Sequence, residues 1–170
     1  FDPEKMTVSD MTKKIKWNQF LVFQSTHQGG RKIATHQHLE DMENCSWFNK
    51  DHKWVDRLHG TLLDAVNALS TGDDIAFGEM LTSYAKELRQ LGLEDQKTYS
   101  DRSELSQLPG VLGVKGLGAM QSDGLLLFLD EKTANKKDNH LEKILKTAEN
   151  LNLKLVNNDS KFCQGVFLDD

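Results

Sequence analysis

Residues 113–124, GVKGLGAMQSDG, hold four of the chain's twelve glycines and lie between two apolar runs, VLGV at their start and LLLFL after them. Without a Cβ, glycine lets backbone N–H groups turn inward and approach an anion closely. Lys115 supplies positive charge near the start of this stretch, and Ser122 and Asp123 supply polar groups near its end. Phosphate binding is the chemistry such a loop suits. A turn that binds nothing accounts for the same composition, and the residues alone leave both readings open. The spacing matches neither the G-x-x-x-x-G-K-[ST] phosphate loop nor the G-x-G-x-x-G dinucleotide fingerprint. GVKGLG fits only G-x-x-G-x-G, a pattern that carries little information.

A second set of candidates falls in residues 25–38, STHQGGRKIATHQH. Arg31 and Lys32 follow a Gly-Gly turn and could reach a phosphate or carboxylate, the arginine through two parallel hydrogen bonds. His27, His36 and His38 invite a metal reading, because H-x-H on a strand puts two imidazoles on one face. The segment reads as loop or helix, however, and no cysteine or carboxylate lies at ligand spacing, so solvent-facing or hydrogen-bonded histidines are expected and no metal site. No Ser-His-Asp or Cys-His set can be assembled, and no catalytic residue is assigned. Trp47 and Trp54 read as core or partner-facing side chains rather than as a base-stacking platform.

These candidates need elements to hold them. FLVF, residues 20–23, is a short continuous apolar run, the mark of a strand buried on both faces. Gly29 and Gly30 signal a loop, and IATHQHLEDM reads as a loosely periodic helix. From Trp54 onward, Val55, Leu58, Leu62, Ala65, Val66 and Leu69 fall on one helical stripe, with Asp56, Arg57 and Asp64 outside it. STGDD punctuates, and Asp73 or Asp74 can cap the helix that follows. That helix carries Phe77, Met80, Leu81, Tyr84, Leu88 and Leu91 on one face and stops at Gly92. The polar residues 93–109 contain a short helix over 103–107. VLGV and LLLFL are strands on either side of the glycine stretch. NKKDNHLEKILKTAENL is an amphipathic helix with Leu141, Ile144, Leu145, Ala148 and Leu151 inward, preceded by the solvated run DEKTANKKDNH. LKLV and VFL close the chain as short strands. Helices come in a block rather than in alternation with strands, which predicts an α+β domain rather than a doubly wound parallel sheet.

Composition narrows the function classes. The 170 residues suffice for one domain with a real core, and 38% hydrophobic and 28% charged residues are ordinary for a globular protein. The net charge is -5 and the basic residues are scattered, so no nucleic-acid footprint is present. No apolar run approaches the roughly 18 residues of a membrane span, and no secretory pattern opens the chain. Cys45 and Cys163 are far apart and form no metal pair, which favours a reduced, cytoplasmic setting. The N-x-S matches at Asn44 and Asn158 read as chance without a secretion signal. The opening FDPEKM, with Phe rather than Met at its first position, suits a domain of a longer protein as well as it suits trimming.

Taken in order, the strand leading into STHQGGRK, the helix pair LLDAVNALSTGDDIAFGEMLTSYAKELRQLGL, and PGVLGVKGLGAMQSDGLLLFL resemble one known arrangement. It is the carboxyl-terminal domain of the GHMP small-molecule kinases, the superfamily of galactokinase, homoserine kinase, mevalonate kinase and phosphomevalonate kinase. The likeness runs from about residue 18 to about residue 156, and mevalonate kinase-like members are the most similar. In the superfamily's third motif, Lys, Leu or Ile, Thr or Ser, Gly and Ala precede a run of glycines. Lys115, Gly118 and Ala119 match, Gly116 and Leu117 stand at the apolar and hydroxyl positions, and MQSD replaces the glycine run.

The resemblance implies a ferredoxin-like antiparallel sheet of about four strands packed against helices, and a kinase that uses ATP and Mg²⁺ to phosphorylate a small alcohol or phosphate, in isoprenoid biosynthesis for a mevalonate kinase-like member. It implies a phosphate or nucleotide loop formed by Lys115, Gly116, Gly118, Ala119, Gln121, Ser122, Asp123 and Gly124. Ser25, Thr26, Arg31 and Lys32 would line the acceptor side, with Arg31 as the anion contact. In that superfamily the nucleotide-cradling Pro-x-x-x-Gly-Leu-Gly-Ser-Ser-Ala loop and the catalytic carboxylate and lysine belong to an amino-terminal domain. This chain does not contain that loop pattern. The expectation is therefore a single carboxyl-terminal domain, residues 1–170, inactive alone, whose partners are its own amino-terminal domain and a small-molecule acceptor. Neither nucleic acid nor membrane is an expected partner. Two rivals remain: a non-catalytic binding or regulatory module that keeps the fold with an altered glycine loop, and a ferredoxin-like interaction domain with no ligand.

Overall fold

The computed structural model describes residues 14–26, 40, 53–118 and 121–156. A 3-10 turn, Trp17–Gln19, leads into strand β1 (Phe20–Ser25). Helices α1 (Lys53–Thr71), α2 (Asp74–Gln90) and α3 (Gln96–Leu105) follow. Strand β2 (Val111–Leu117) takes in the first five residues of the glycine stretch, Gly113, Lys115 and Gly116 among them, and β3 (Gly124–Leu129) begins at its last, so only residues 118–123 lie between the strands. A one-turn helix α4 (Glu131–Ala134), helix α5 (His140–Asn150) and strand β4 (Leu153–Leu155) complete the described elements. The four strands form one antiparallel sheet in the order β2-β3-β1-β4, the ferredoxin-like α+β arrangement expected.

Short aspartate caps set the helix starts. The Asp73 carboxylate accepts from Ala76 N–H at the head of α2, Asp95 accepts from Lys97 and Thr98 N–H at α3, and Asp130 accepts from Thr133 N–H at α4. Each satisfies donors that a helix start leaves unpaired. Gly72, with φ +73°, reverses the chain between α1 and α2, a conformation that costs glycine nothing.

The sheet is buried on both faces, which explains why LLLFL is continuously apolar. Leu125, Leu127 and Leu129 of β3 pack with Phe23, Val114 and Leu105, and with Ile144 and Ala148 of α5. Phe128 points the other way, into a cluster with Ala68 of α1, Phe77 of α2 and Phe20. Its ring lies 4.8 Å from that of Phe20 and 4.9 Å from that of Phe77, the latter edge-on, a favoured aromatic geometry. Fully buried Gln19 donates to Leu129 C=O at 2.8 Å and Asp74 Oδ2 at 3.1 Å, fastening the 3-10 turn to β3 and α2.

Helix α2 crosses β2 with its main chain against the strand's main chain. A Cβ on Gly78 would stand 2.5 Å from Leu112 O, and one on Gly113 would run into Gly78 C=O. Two glycines on different elements thus permit one close helix–strand contact, and it is what brings α2 to the outer edge of the sheet.

Three expectations need correction. The short helix placed at 103–107 begins earlier, at Gln96, because the Asp95 cap nucleates it. In α1 the buried line is Leu58 and Ala68 with Ala65 and Leu69 half-buried or packed beside them, whereas Val55, Leu62 and Val66 are exposed. The helix turns its small alanines toward α2, so it packs closely and leaves the bulkier edge of the stripe outside. The run after LLLFL is no mere solvated lead-in, since Glu131–Ala134 form a separate turn of helix and Lys136 reverses at φ +56° before α5. The expected helix over IATHQHLEDM, the three histidines, Trp47, both cysteines and the strand VFL lie outside the described residues, apart from Glu40.

Candidate functional site

β2 is an edge strand, so every second residue turns its backbone polar groups away from the sheet. Two of these outward N–H groups meet side chains instead of water. Val114 N–H points to Thr82 Oγ1 on α2, at 3.4 Å, and Gly116 N–H donates to Gln121 Oε1, at 3.0 Å.

Gln121 is the fixed point of the loop. It is 4% exposed and sits at φ +54°, a left-handed conformation uncommon for a residue with a side chain. Its own C=O accepts from Thr98 Oγ1 of α3 at 2.9 Å, its N–H donates to Gly118 C=O at 3.0 Å, and Nε2 reaches Leu93 C=O at 3.4 Å. Further along, Asp123 N–H donates to Leu117 C=O at 2.9 Å. Gly118 has φ +80°, and a Cβ there would overlap the Asp123 carboxylate; a Cβ on Gly116 would overlap Gln121 Cβ. The N–H groups of Gly116, Gln121 and Asp123 are therefore all taken by acceptors within the loop.

Lys115 projects on the α2 side. Its ammonium donates to Gly116 C=O at 2.9 Å and lies 5.8 Å from the centre of the Tyr84 ring. Among the described residues no carboxylate pairs with it, and burial lowers its pKa below the ordinary 10.5.

The link between α2 and α3 supports this loop from beneath. Arg102 grips Glu94 through Nε–Oε1 at 2.7 Å and Nη2–Oε2 at 3.0 Å, with both side chains almost fully buried. Arg89 donates to Glu94 C=O at 3.1 Å and stacks 4.5 Å from the Tyr99 ring centre. The pair holds the backbone next to Leu93, whose carbonyl receives Gln121.

Of the residues assigned to the acceptor side, Ser25 and Thr26 end β1 beside the loop's far end. Ser25 N–H donates to Asp123 C=O at 3.0 Å, while Thr26 N–H and Oγ1 both donate to Asn152 C=O, at 3.0 and 2.6 Å. Residues almost a hundred positions apart thus meet at one end of the sheet, with Gln24 paired to Gly124. Ala119, Arg31 and Lys32 lie outside the described residues. No group of three His, Cys, Asp or Glu side chains that could hold a metal ion occurs among the described residues. A cleft of about 690 Å³ between α2 and α3, lined among others by Glu79, Ser83, Lys86, Tyr99, Ser106 and Leu112, opens over the upstream part of the same β2 edge. Of the described residues of the glycine stretch only Gly113 lines it, and Ser25 and Thr26 do not.

Sequence reasoning missed Thr82, Tyr84, Leu93, Glu94, Thr98 and Arg102 as supports of the loop. Asp95 as a helix cap was the one local signal that could have brought α3, and with it Thr98, under the glycine stretch.

No protein-family model matches the chain, and no curated protein matches it in sequence. Solved structures do match in fold. Methanococcus jannaschii mevalonate kinase is similar with a TM-score of 0.62 at 16% identity, over 89% of this chain and 42% of its own. Streptococcus pneumoniae phosphomevalonate kinase is similar with a TM-score of 0.60 at 18% identity, over 81% of this chain and 38% of its own. Lactococcus lactis galactokinase, solved with galactose, is similar with a TM-score of 0.55 at 10% identity, over 81% of this chain and 44% of its own. The chain has the fold these GHMP kinases share, and it spans less than half the length of each.

Proposed function

We propose that this chain is the carboxyl-terminal domain of an ATP-dependent small-molecule kinase of the mevalonate kinase-like kind. Its role is to supply the third-motif loop and part of the acceptor wall, while an amino-terminal domain supplies the nucleotide loop and the catalytic groups. The observation that carries this reading is the fold likeness to three kinases of different substrates; that the glycine stretch runs from β2 into β3 supports reading it as the third motif. The bond from Ser25 N–H to Asp123 C=O, beside the paired Gln24 and Gly124, supports an acceptor wall next to that loop. ATP with Mg²⁺ would supply the phosphoryl group. The described loop fits such an anion only in part: Lys115 offers charge, but the N–H groups of Gly116, Gln121 and Asp123 are already engaged, and the metal would be held elsewhere. Phosphoryl transfer depends mainly on positioning and electrostatic stabilisation, so the chain alone would not turn over.

The full-length protein that carries this chain tests the reading. It should bind ATP·Mg²⁺ by isothermal titration and release ADP with one member of a panel of mevalonate, phosphomevalonate and galactose-like acceptors; absence of nucleotide binding sinks the kinase assignment. Within it, Arg31→Ala should raise KM for an anionic acceptor more than for ATP, and unchanged kinetics would remove the anion-contact role. One observation favours a second reading, a non-catalytic module that keeps the fold. Gln121 stands where the motif has glycine, and it closes the loop on itself. Nucleotide binding without turnover on any acceptor would select that alternative.

A further inference from the structure

Gly116 is engaged on both sides by side chains of its own strand and loop. Its N–H donates to Gln121 Oε1 at 3.0 Å, and its C=O accepts from Lys115 Nζ at 2.9 Å. Both groups belong to the outward edge of β2, as the N–H of Val114, two residues earlier, shows by pointing to Thr82. An anion held here would need what those two side chains now occupy: an outward N–H and an ammonium. The carboxamide oxygen is a neutral acceptor. A phosphoryl oxygen is a charged one and bonds the same donor more strongly.

The rest of the geometry confines any exchange to the Gln121 side chain. Thr98 Oγ1 holds the residue's carbonyl at 2.9 Å, and its N–H is held by Gly118 C=O at 3.0 Å, so the backbone is pinned. The second bond of the carboxamide, to Leu93 C=O, is long at 3.4 Å and therefore weak. Lys115 spends one of its three donors on Gly116 C=O and has no carboxylate partner among the described residues.

Resting on the kinase-domain reading, we propose that Gln121 is a resident stand-in for a ligand oxygen. A di- or triphosphate group binds this loop by taking Gly116 N–H from the Gln121 carboxamide, while Lys115 Nζ turns from Gly116 C=O to the anion. The substitution of MQSD for a glycine run then sets the loop's affinity: a glycine at 121 would leave the N–H open, and glutamine keeps it closed until a stronger acceptor arrives.

Isothermal titration of the full-length protein with inorganic pyrophosphate tests this. Gln121→Gly suits the positive φ and removes the competing oxygen, so it should bind pyrophosphate about tenfold more tightly than the wild type, the effect of roughly one hydrogen bond. Gln121→Glu places a negative charge at the donor and should bind at least about tenfold more weakly. Equal or weaker binding by the glycine variant, with a melting temperature close to that of the wild type, overturns the proposal. If the glycine variant does not fold, the wild type decides by NMR. Pyrophosphate should shift the Gly116 amide and the Gln121 side-chain amide together, and a Gly116 resonance that stays in place overturns the exchange. The two readings fail separately: tightening without ATP turnover keeps the role of Gln121 and removes the kinase, and turnover without tightening does the reverse.

Discussion

At the α2–β2 crossing, Gly78 is pressed against the main chain of Leu112 and Gly113 against that of Gly78, whereas three residues further along the same strand Gly116 faces the Gln121 Cβ most closely, then the Gln121 carbonyl and the Thr98 methyl. Main-chain atoms of two packed elements cannot give way without moving the elements. A Cβ can be removed by mutation to glycine. The first pair of glycines is therefore a requirement of the fold. The second group is matched to particular residues, Gln121 and Asp123, that have filled the space a glycine run would leave. Composition treats both groups alike; only their neighbours separate packing from loop chemistry.

The comparison can be broken or sharpened by five substitutions, taken from the largest expected effect downward. On the loop side, Arg102→Met leaves the Glu94 carboxylate buried without its bidentate partner, a loss of about 3–5 kcal/mol. Urea unfolding should show it, and a variant as stable as the wild type would mean that the α2–α3 link does not rest on the pair. At the crossing, Gly78→Ala should cost about 1–3 kcal/mol through main-chain overlap with Leu112. That cost should be the same in a Gln121→Gly background, while the cost of Gly116→Ala should shrink there by about 0.5–3 kcal/mol of coupling. Equal coupling for both glycines would erase the distinction drawn between them.

Lys115→Met probes the loop by pH. Burial lowers the pKa of this ammonium in the folded chain below 10.5, so the unfolded chain holds the proton more tightly. The penalty of burying the charge is full below the lowered value and gone above 10.5. The melting temperature of the Met variant relative to the wild type should therefore fall as pH rises through that window, and a flat difference would show that burial of Lys115 costs the fold nothing. The smallest effect is expected at Gly60, inside α1, where an added Cβ meets nothing within 4 Å. Gly60→Ala should stabilise by about 0.5–1 kcal/mol, since alanine loses less backbone entropy in a helix. A loss of stability on that substitution would mean that α1 is packed there after all.

The helix pair, the flanking strands and the α5 helix were legible because their apolar residues recur at the periods of a helix or a buried strand. The α1 stripe was legible only in part. Periodicity found its apolar residues, but small Ala65 and Ala68 rather than bulky Val55 and Leu62 were chosen for the interface with α2, and periodicity does not record how closely a neighbour can approach. Helix α3 was underestimated because its residues are largely polar and buried through ion pairs and hydrogen bonds, among them Thr98, Asp101 and Arg102. A pattern of apolar residues carries no signal for such a helix.

For the candidate site, the sequence by itself determined where the permissive backbone lies, that Lys115 adjoins it, and that Met120 to Asp123 depart from a glycine run. Those are properties of residue type and local spacing. Only the tertiary structure decided that Gln121 turns back to take Gly116 N–H, that Thr98 donates to its carbonyl while Leu93 C=O accepts from its carboxamide, and that Ser25 meets Asp123 across the sheet. Each of these is a contact between segments brought together by the strand order and by the glycine crossing of α2 on β2. Their partners are chosen by which backbone groups the edge of a sheet leaves unpaired, and that is settled only once the sheet has formed.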